Sequence, residues 1–133
     1  MKTLSSIRGF RNNNPGNIRH GDTWLGLSKP TDNDFCTFSS VEYGIRAIGR
    51  VINTYYNRHG INTVAGIISR WAPTSENDTD SYITSVCSKT GLMKNEKIDC
   101  LDDYLSIIVT AIIYHENGVQ PFNDTFIKKS LEL

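Results

Sequence analysis

The spacing of apolar residues along the chain changes after residue 38. The first 38 residues show little periodicity and are rich in the turn-forming residues Asn, Gly and Pro, with "DFCTF" as one short strand-like run. From Ser39 onwards, apolar residues recur at the three- and four-residue intervals of amphipathic helices. The pattern therefore predicts an irregular N-terminal segment, with a few residues of β structure at most, followed by a series of helices.

Capping residues and helix stops divide the periodic part into four helices and a short terminal turn or helix over residues 123–133. The N-terminal signals are a Ser39–Glu42 capping box, Asn62 or Thr63, the polar loop "TSENDTD", and Asp99. The corresponding stops are Gly60, Pro73, Gly91 and Gly118. We therefore expect an all-α fold with minor β structure, in a single domain that covers residues 1–133.

The apolar face of the last long helix ends on a carboxyl group. Its stripe consists of Leu101, Leu105, Ile108, Val109 and Ile112. The next position on that stripe is Glu116, where burial and the negative end of the helix dipole both favour a protonated carboxyl group. A protonated carboxylic acid can serve as the general acid in the cleavage of a glycosidic bond. The alternative is that the helix frays and that Glu116 points into water.

The polar and aromatic residues elsewhere in the chain suit a carbohydrate ligand. Asn14 and Asn17 lie in the segment "RNNNPGNIR", and their amides can bond to sugar hydroxyl and N-acetyl groups, with turn formation as the alternative for Asn14. Aromatic rings can form walls for sugar rings, with core packing as the alternative. The aromatic candidates are Trp24, Trp71 and Tyr82.

Several motifs together resemble a family of small phage and prophage proteins with a lysozyme-like fold. They are "RNNNPGNIR", "WLGL", "RWAPTSENDT" and "AIIYHENGVQPF", and the resemblance covers nearly the whole chain. Such proteins are described as structural, virion-associated or peptidoglycan-degrading. The resemblance therefore implies a cell-wall glycosidase of the endolysin kind or a virion component.

A more distant likeness is to flagellar-type glucosaminidases, in which a helix that bears the catalytic glutamate precedes the other motifs. Here "NPGNI", "WLG" and "FCTFSS" occur in the family's order, but the similar helix, "AIIYHENG", comes last. This arrangement resembles a circular permutation, which implies that the last helix docks beside the N-terminal loop.

The likeness assigns roles to three residues of this chain. It implies that Glu116 takes the place of the family's general acid and that Asn14 and Asn17 line the glycan groove. The sequence departs from the family's Glu-Ser-Gly pattern, because Asn117 replaces the serine.

No motif fixes a second catalytic carboxylate. Glu76, in "SENDTD", is the strongest candidate, with Asp78 and Asp80 behind it and helix capping as the alternative role. Asn77 in the same loop is a further candidate for contact with sugar. An inverting enzyme holds its second carboxyl about 6.5–9.5 Å away and a retaining one about 5–5.5 Å. A lytic transglycosylase needs none, so the three reaction types remain open.

Charge and composition limit the partners. The chain has 14 Lys+Arg and 14 Asp+Glu, which argues against a nucleic-acid surface. The three cysteines and three histidines lack the spacing of metal ligands, so we expect reduced cysteines and neither metal nor cofactor. We see no secretory signal and no membrane span. We expect synthesis in a bacterial cytoplasm and action at the cell wall or periplasm, or as a virion component.

The sequence therefore predicts a peptidoglycan-degrading glycosidase of the muramidase, glucosaminidase or lytic transglycosylase type. Its expected partners are glycan strands and other virion proteins. One rival is a catalytically inactive virion protein that grips glycan, which the zero net charge slightly favours because many free wall-lytic enzymes are basic. The other rival is a host-directed inhibitor or interaction protein.

Overall fold

The computed structural model describes residues 3–133 and contains six α-helices among them. They are α1 (Arg8–Arg11), α2 (Val41–His59), α3 (Val64–Trp71), α4 (Thr79–Thr90), α5 (Leu105–Asn117) and α6 (Asp124–Leu131). Two short 3-10 turns lie at Leu4–Ser6 and Leu101–Asp103. The predicted all-α class is confirmed. We call residues 3–40 the N-terminal segment and residues 41–133 the helical body.

The helix stops lie where the sequence predicts them. Three glycines follow α2, α4 and α5 in the left-handed conformation, which a residue without a Cβ adopts at little cost: Gly60, Gly91 and Gly118, with φ of 66°, 78° and 77°. The hydroxyl of Thr63 accepts a hydrogen bond from the Gly66 amide and begins α3, which ends before Pro73.

Two predicted N-terminal caps are wrong. The predicted capping box needs the Ser39 amide to donate to the Glu42 side chain. That amide instead donates to the Gly26 carbonyl at 2.8 Å, within the N-terminal segment, and Ser40, which precedes α2, makes no side-chain cap. Asp99 does not cap α5. The Tyr56 hydroxyl donates to the Asp99 carbonyl at 3.0 Å and holds this part of the chain against α2. The chain then passes through the second 3-10 turn, and α5 begins after Tyr104.

Helix α5 lies at the centre of the helical body and packs against α2, α4 and α6. The stripe predicted from the sequence is buried, and so are Ala111 and Ile113. Burial on so many sides explains why the α5 sequence is almost continuously apolar. The helix therefore provides a rigid support for the residues at its C-terminal end.

The N-terminal segment contains the 3-10 turn at Leu4–Ser6 and the short helix α1, and otherwise consists of loops. The predicted strand-like run forms only isolated antiparallel bridges, Arg19 with Phe35 and Leu27 with Phe38. Phe38 and Cys36 join Ala47 of α2 in a small apolar cluster that attaches the segment to the helical body. Within residues 3–133, no helix combines the length and the apolar character needed to cross a bilayer.

Candidate functional site

Two cavities meet at Glu116, and together we call them the groove. The α3 cavity, of about 510 Å³, lies between the loop after α1 and the end of α3; its lining includes Arg19, Trp24, Arg70, Trp71, Glu76 and Asn77. The N-terminal cavity, of about 450 Å³, lies between residues 4–9 and the C-terminal end of α5. Glu116 and Asn17 line both cavities, so they lie at the middle of the groove.

Hydrogen bonds from two sides fix the Glu116 carboxylate. Asn17 Nδ2 donates to Glu116 Oε1 at 3.1 Å, and the Tyr82 hydroxyl donates to Glu116 Oε2 at 2.8 Å. The side chain is partly buried. Glu116 therefore does not project freely into solvent, and its two oxygens are held by partners from the N-terminal segment and from α4.

Tyr82 is a buried residue whose hydroxyl holds the Glu116 side chain in position. Its side chain is 1% exposed, so it offers no face to a sugar ring, contrary to the role predicted for it. Trp71 Nε1 donates to the Tyr82 oxygen at 3.1 Å, which directs the phenolic proton towards Glu116, and the His115 ring stacks on Tyr82 at 3.7 Å. Burial and the adjacent Glu116 raise the pKa of Tyr82 well above its usual value, which keeps the phenol protonated as a donor.

The backbone at Asn17 is adapted to this contact. Asn13 and Asn17 have φ of 51° and 50°, in the left-handed region that asparagine tolerates better than most side chains. On the other side of the contact, Asn117 Nδ2 donates to the Pro15 carbonyl at 2.8 Å. The last long helix therefore docks beside the N-terminal loop, as the comparison with permuted glucosaminidase motifs predicted.

The structure gives Asn14 a different place from the predicted one. Its side chain is fully buried, and its amide donates to the carbonyls of Ile18 and Cys36 while its oxygen accepts from the Ile18 amide. All these bonds fix the loop, and Asn14 lines neither cavity. Because its polar groups already bond to its own loop, Asn14 has none left for a ligand. The predicted contact with glycan is therefore wrong, and Asn14 has the alternative role of stabilising the turn.

Gly9 allows α1 to approach the end of α5 closely. A Cβ at this position would overlap Asn117 Oδ1 and would lie 3.3 Å from Asn17 Oδ1. Among residues 3–133, both of these oxygens are buried without a hydrogen-bond partner. The absence of a side chain at Gly9 therefore lets the two asparagines reach Pro15 and Glu116.

The other predicted sugar contacts lie on the wall of the α3 cavity. Trp24 and Trp71 are partly buried there, and Asn77 is exposed at the rim, where its amide donates to the Pro73 carbonyl at 3.3 Å. Glu76 lines the same cavity as Glu116. Its Oε1 lies 3.7 Å from Arg19 Nη2, and both side chains are more than half exposed. Glu76 is therefore a rim residue, whereas Glu116 lies on the floor.

Apart from Glu116 and Asn17, sequence reasoning missed the residues that line the N-terminal cavity, among them Leu4, Arg8 and Val119. Arg8 makes two short bonds to Asp32, with its Nε 2.7 Å from Oδ2 and its Nη2 2.6 Å from Oδ1. Arg8 Nη2 also bonds to Asp34 at 3.2 Å, and the guanidinium lies over the Phe35 ring at 4.3 Å. These contacts join residues 24–27 positions apart, so no local periodicity signals them.

The chain is similar in sequence to a known phage protein. A stretch of 132 residues, 96% of this chain, is 41% identical to Protein P5 of Pseudoalteromonas phage PM2 and covers 81% of that protein. No known family profile matches the chain. The relative's name states no activity, so the comparison connects the chain to phage alone. Within residues 3–133, no three His, Cys, Asp or Glu side chains are grouped to hold a metal ion.

Proposed function

The chain belongs to the family of Protein P5 from phage PM2, and from that premise we propose that it is a phage-type glycosidase that cleaves the β-1,4-linked glycan backbone of peptidoglycan. Delivery to the wall would come from a virion or through a lysis pore. One observation carries the proposal: a glutamate at the end of a buried helix lies mid-groove, fixed by Asn17 and Tyr82.

Glu116 is assigned the proton transfer. In its protonated form it donates to the glycosidic oxygen, the bond from that oxygen to the anomeric carbon breaks, and the leaving sugar departs as an alcohol. The carboxylate that results is the form to which Asn17 and Tyr82 donate, so these bonds stabilise the product side of the transfer. A water molecule or a hydroxyl of the sugar itself then completes the reaction at the anomeric carbon.

The remaining groove residues bind the substrate. The partly buried rings of Trp24 and Trp71 offer apolar faces to sugar rings, and the exposed Asn77 amide offers donors at the rim. Glu76 lies on the same cavity wall and is the candidate for the second carboxylate. Asn14 and Tyr82 are assigned support of the loop and of Glu116, and neither contacts the glycan.

The test is mass spectrometry of purified sacculi after digestion. Wild-type protein should release fragments cut in the glycan backbone, and Glu116→Gln should lower the rate by about 10²–10⁴-fold, the usual contribution of a general acid. Glu132→Gln, an exposed glutamate at the end of α6, is the matched control and should retain the wild-type rate. The masses of the fragments distinguish hydrolysis from formation of an anhydro-sugar.

Glu76→Gln in the same assay tests for a second carboxylate. A loss comparable to that of Glu116→Gln supports a two-carboxylate mechanism, whereas a rate near that of wild type supports a single acid. If wild type and Glu116→Gln both leave the sacculi intact, the proposed activity is wrong.

One observation favours the rival in which the groove binds glycan without cutting it. Both oxygens of Glu116 already accept hydrogen bonds, which is the pattern of a carboxylate and not of a proton donor. The rival predicts that wild type and Glu116→Gln both sediment with sacculi and that neither releases fragments. Measuring both sedimentation with sacculi and release of fragments, for wild type and Glu116→Gln, therefore distinguishes the glycosidase from the glycan-binding protein.

A further inference from the structure

We propose that the N-terminal cavity is the second half of the glycan-binding site, and that the protein therefore cuts within glycan strands and not at their ends. The inference rests on the proposed function and adds a site that lies on the opposite side of Glu116 from Trp24 and Trp71. It assigns sugar units on one side of the broken bond to the α3 cavity and those on the other side to the N-terminal cavity.

The position of Glu116 is the first support. A general acid acts at the bond between two sugar units, so an enzyme that cuts inside a polymer needs space on both sides of that acid. Glu116 and Asn17 line both cavities. The volumes, about 450 and 510 Å³, both lie within the roughly 300–1,000 Å³ of small-molecule sites.

The chemistry of the lining is the second support. Polar groups of Ser6 and Arg8 line this cavity together with the exposed apolar side chains of Leu4 and Val119. A sugar ring presents the same mixture, because hydroxyl groups surround its edge and C–H groups cover its faces.

Charge selects a neutral ligand for this cavity. Arg8 uses its Nε and Nη2 groups to bind two aspartates, Asp32 and Asp34. The carboxylates offset the positive charge, so the cavity lacks the excess cation that a phosphate or a nucleic acid requires. A neutral N-acetylated sugar chain fits this balance.

The N-terminal wall is also held in place before any ligand arrives. The bidentate Arg8–Asp32 pair anchors α1, and Gly9 packs directly against Asn117 at the end of α5. A preformed wall lowers the entropy that binding would otherwise cost.

The test measures the affinity for peptide-free glycan oligosaccharides of two and six sugar units, by calorimetry, in a Glu116→Gln background that cannot cut them. Leu4→Trp and Val119→Trp fill the N-terminal cavity from opposite walls without replacing a buried side chain. Ile107→Trp is the matched control, since Ile107 is exposed on α5 and lines neither cavity. The background protein should bind the six-unit chain more tightly than the two-unit chain.

We expect Leu4→Trp and Val119→Trp to lose about tenfold in affinity for the six-unit chain, and Ile107→Trp to lose none. Equal affinity in all three variants overturns the inference while leaving the proposed function intact. A background protein that binds no oligosaccharide removes the proposed function and the inference with it. Wild-type protein on long strands should release fragments of mixed length from the start, and exclusive early release of disaccharides also overturns the inference.

Discussion

The helical body and the N-terminal segment are stabilised in different ways. In the body, α5 buries apolar side chains against α2, α4 and α6. In the segment, asparagine and aspartate side chains bind backbone groups and Arg8. Apolar contact comes from the small Cys36–Phe38 cluster and from Phe10 and Ile18, which pack against the core of the body. Apolar burial is non-directional, whereas hydrogen bonds fix orientation.

Glu116 lies at the junction of these two regions. The body contributes rigidity through α5 and the buried Tyr82, and the segment contributes the directed donor of Asn17. The position and the orientation of the Glu116 side chain are therefore set by different parts of the molecule. Each region can be perturbed separately by substitutions that leave the other region unchanged.

Ile112→Ala tests the apolar body. Ile112 is fully buried in α5, and its truncation leaves a cavity, so we expect a loss of about 2–5 kcal/mol in the free energy of unfolding. Denaturant titration measures the loss. Ile107→Ala, on the exposed side of the same helix, is the control and should cost much less. Equal losses for the two variants would contradict the central position of α5.

Asn14→Ala tests the polar segment. Truncation leaves the Cys36 carbonyl and the Ile18 amide without their partner, although the Ile18 carbonyl keeps its bond from the Cys36 amide, so we expect a loss of about 1–3 kcal/mol in the free energy of unfolding. Hydrogen exchange should show the lost protection in residues 12–38 before the helical body. The exposed Asn77→Ala should have little effect. If protection falls equally in both regions, they form one cooperative unit and the comparison fails.

Asp32→Asn tests the acid dependence of the segment. The side-chain bond from Arg8, together with backbone amide bonds, holds the pKa of Asp32 far below its usual range. Since the folded-state pKa lies below the unfolded one, the stabilisation is present above about pH 4 and declines as the pH falls below that value. The melting temperature of wild type should therefore fall as the pH is lowered below about 4, and that of Asp32→Asn should fall less.

Asp124→Asn is the matched control for this prediction, because Asp124 forms an exposed ion pair with Lys128 on α6. Exposed ion pairs of this kind contribute little to the free energy of unfolding, so the melting temperature of Asp124→Asn should depend on pH as that of wild type does. An acid dependence that survives in Asp32→Asn would show that other carboxyl groups cause it.

Glu76→Gln should have the smallest effect on stability. The Arg19–Glu76 pair joins the segment to the body, but the atoms are 3.7 Å apart and both side chains are exposed, so we expect a change below about 1 kcal/mol. Melts of wild type and variant at low and high salt measure it. A larger, salt-dependent change would mean that this ion pair holds the two regions together.

The sequence predicted the two regions unequally. Helix stops such as Gly60, Gly91 and Gly118 depend on local backbone conformation, and local sequence therefore revealed them. The failed caps at Ser39 and Asp99 involve long-range bonds to Gly26 and from Tyr56, which local patterns do not contain.

The candidate site shows the same division. The continuation of the apolar stripe located Glu116, and its position at the end of a buried helix follows from periodicity alone. The departure of Asn14 from the predicted groove did not follow from the sequence, because Asn14 and Asn17 are similar residues three positions apart and differ only in which way the folded loop turns them. Burial of Tyr82 beneath Glu116 likewise depends on how α4 packs against α5.

The bonds that fix the site join residues at great separation: Asn17 to Glu116, 99 positions apart, and Asn117 to Pro15, 102 positions apart. During translation the asparagine loop leaves the ribosome long before α5 is made. A polypeptide released before residue 116 therefore contains most of the groove wall and none of its floor. A polypeptide that ends there lacks Glu116, so the site comes into existence only once α5 has been made.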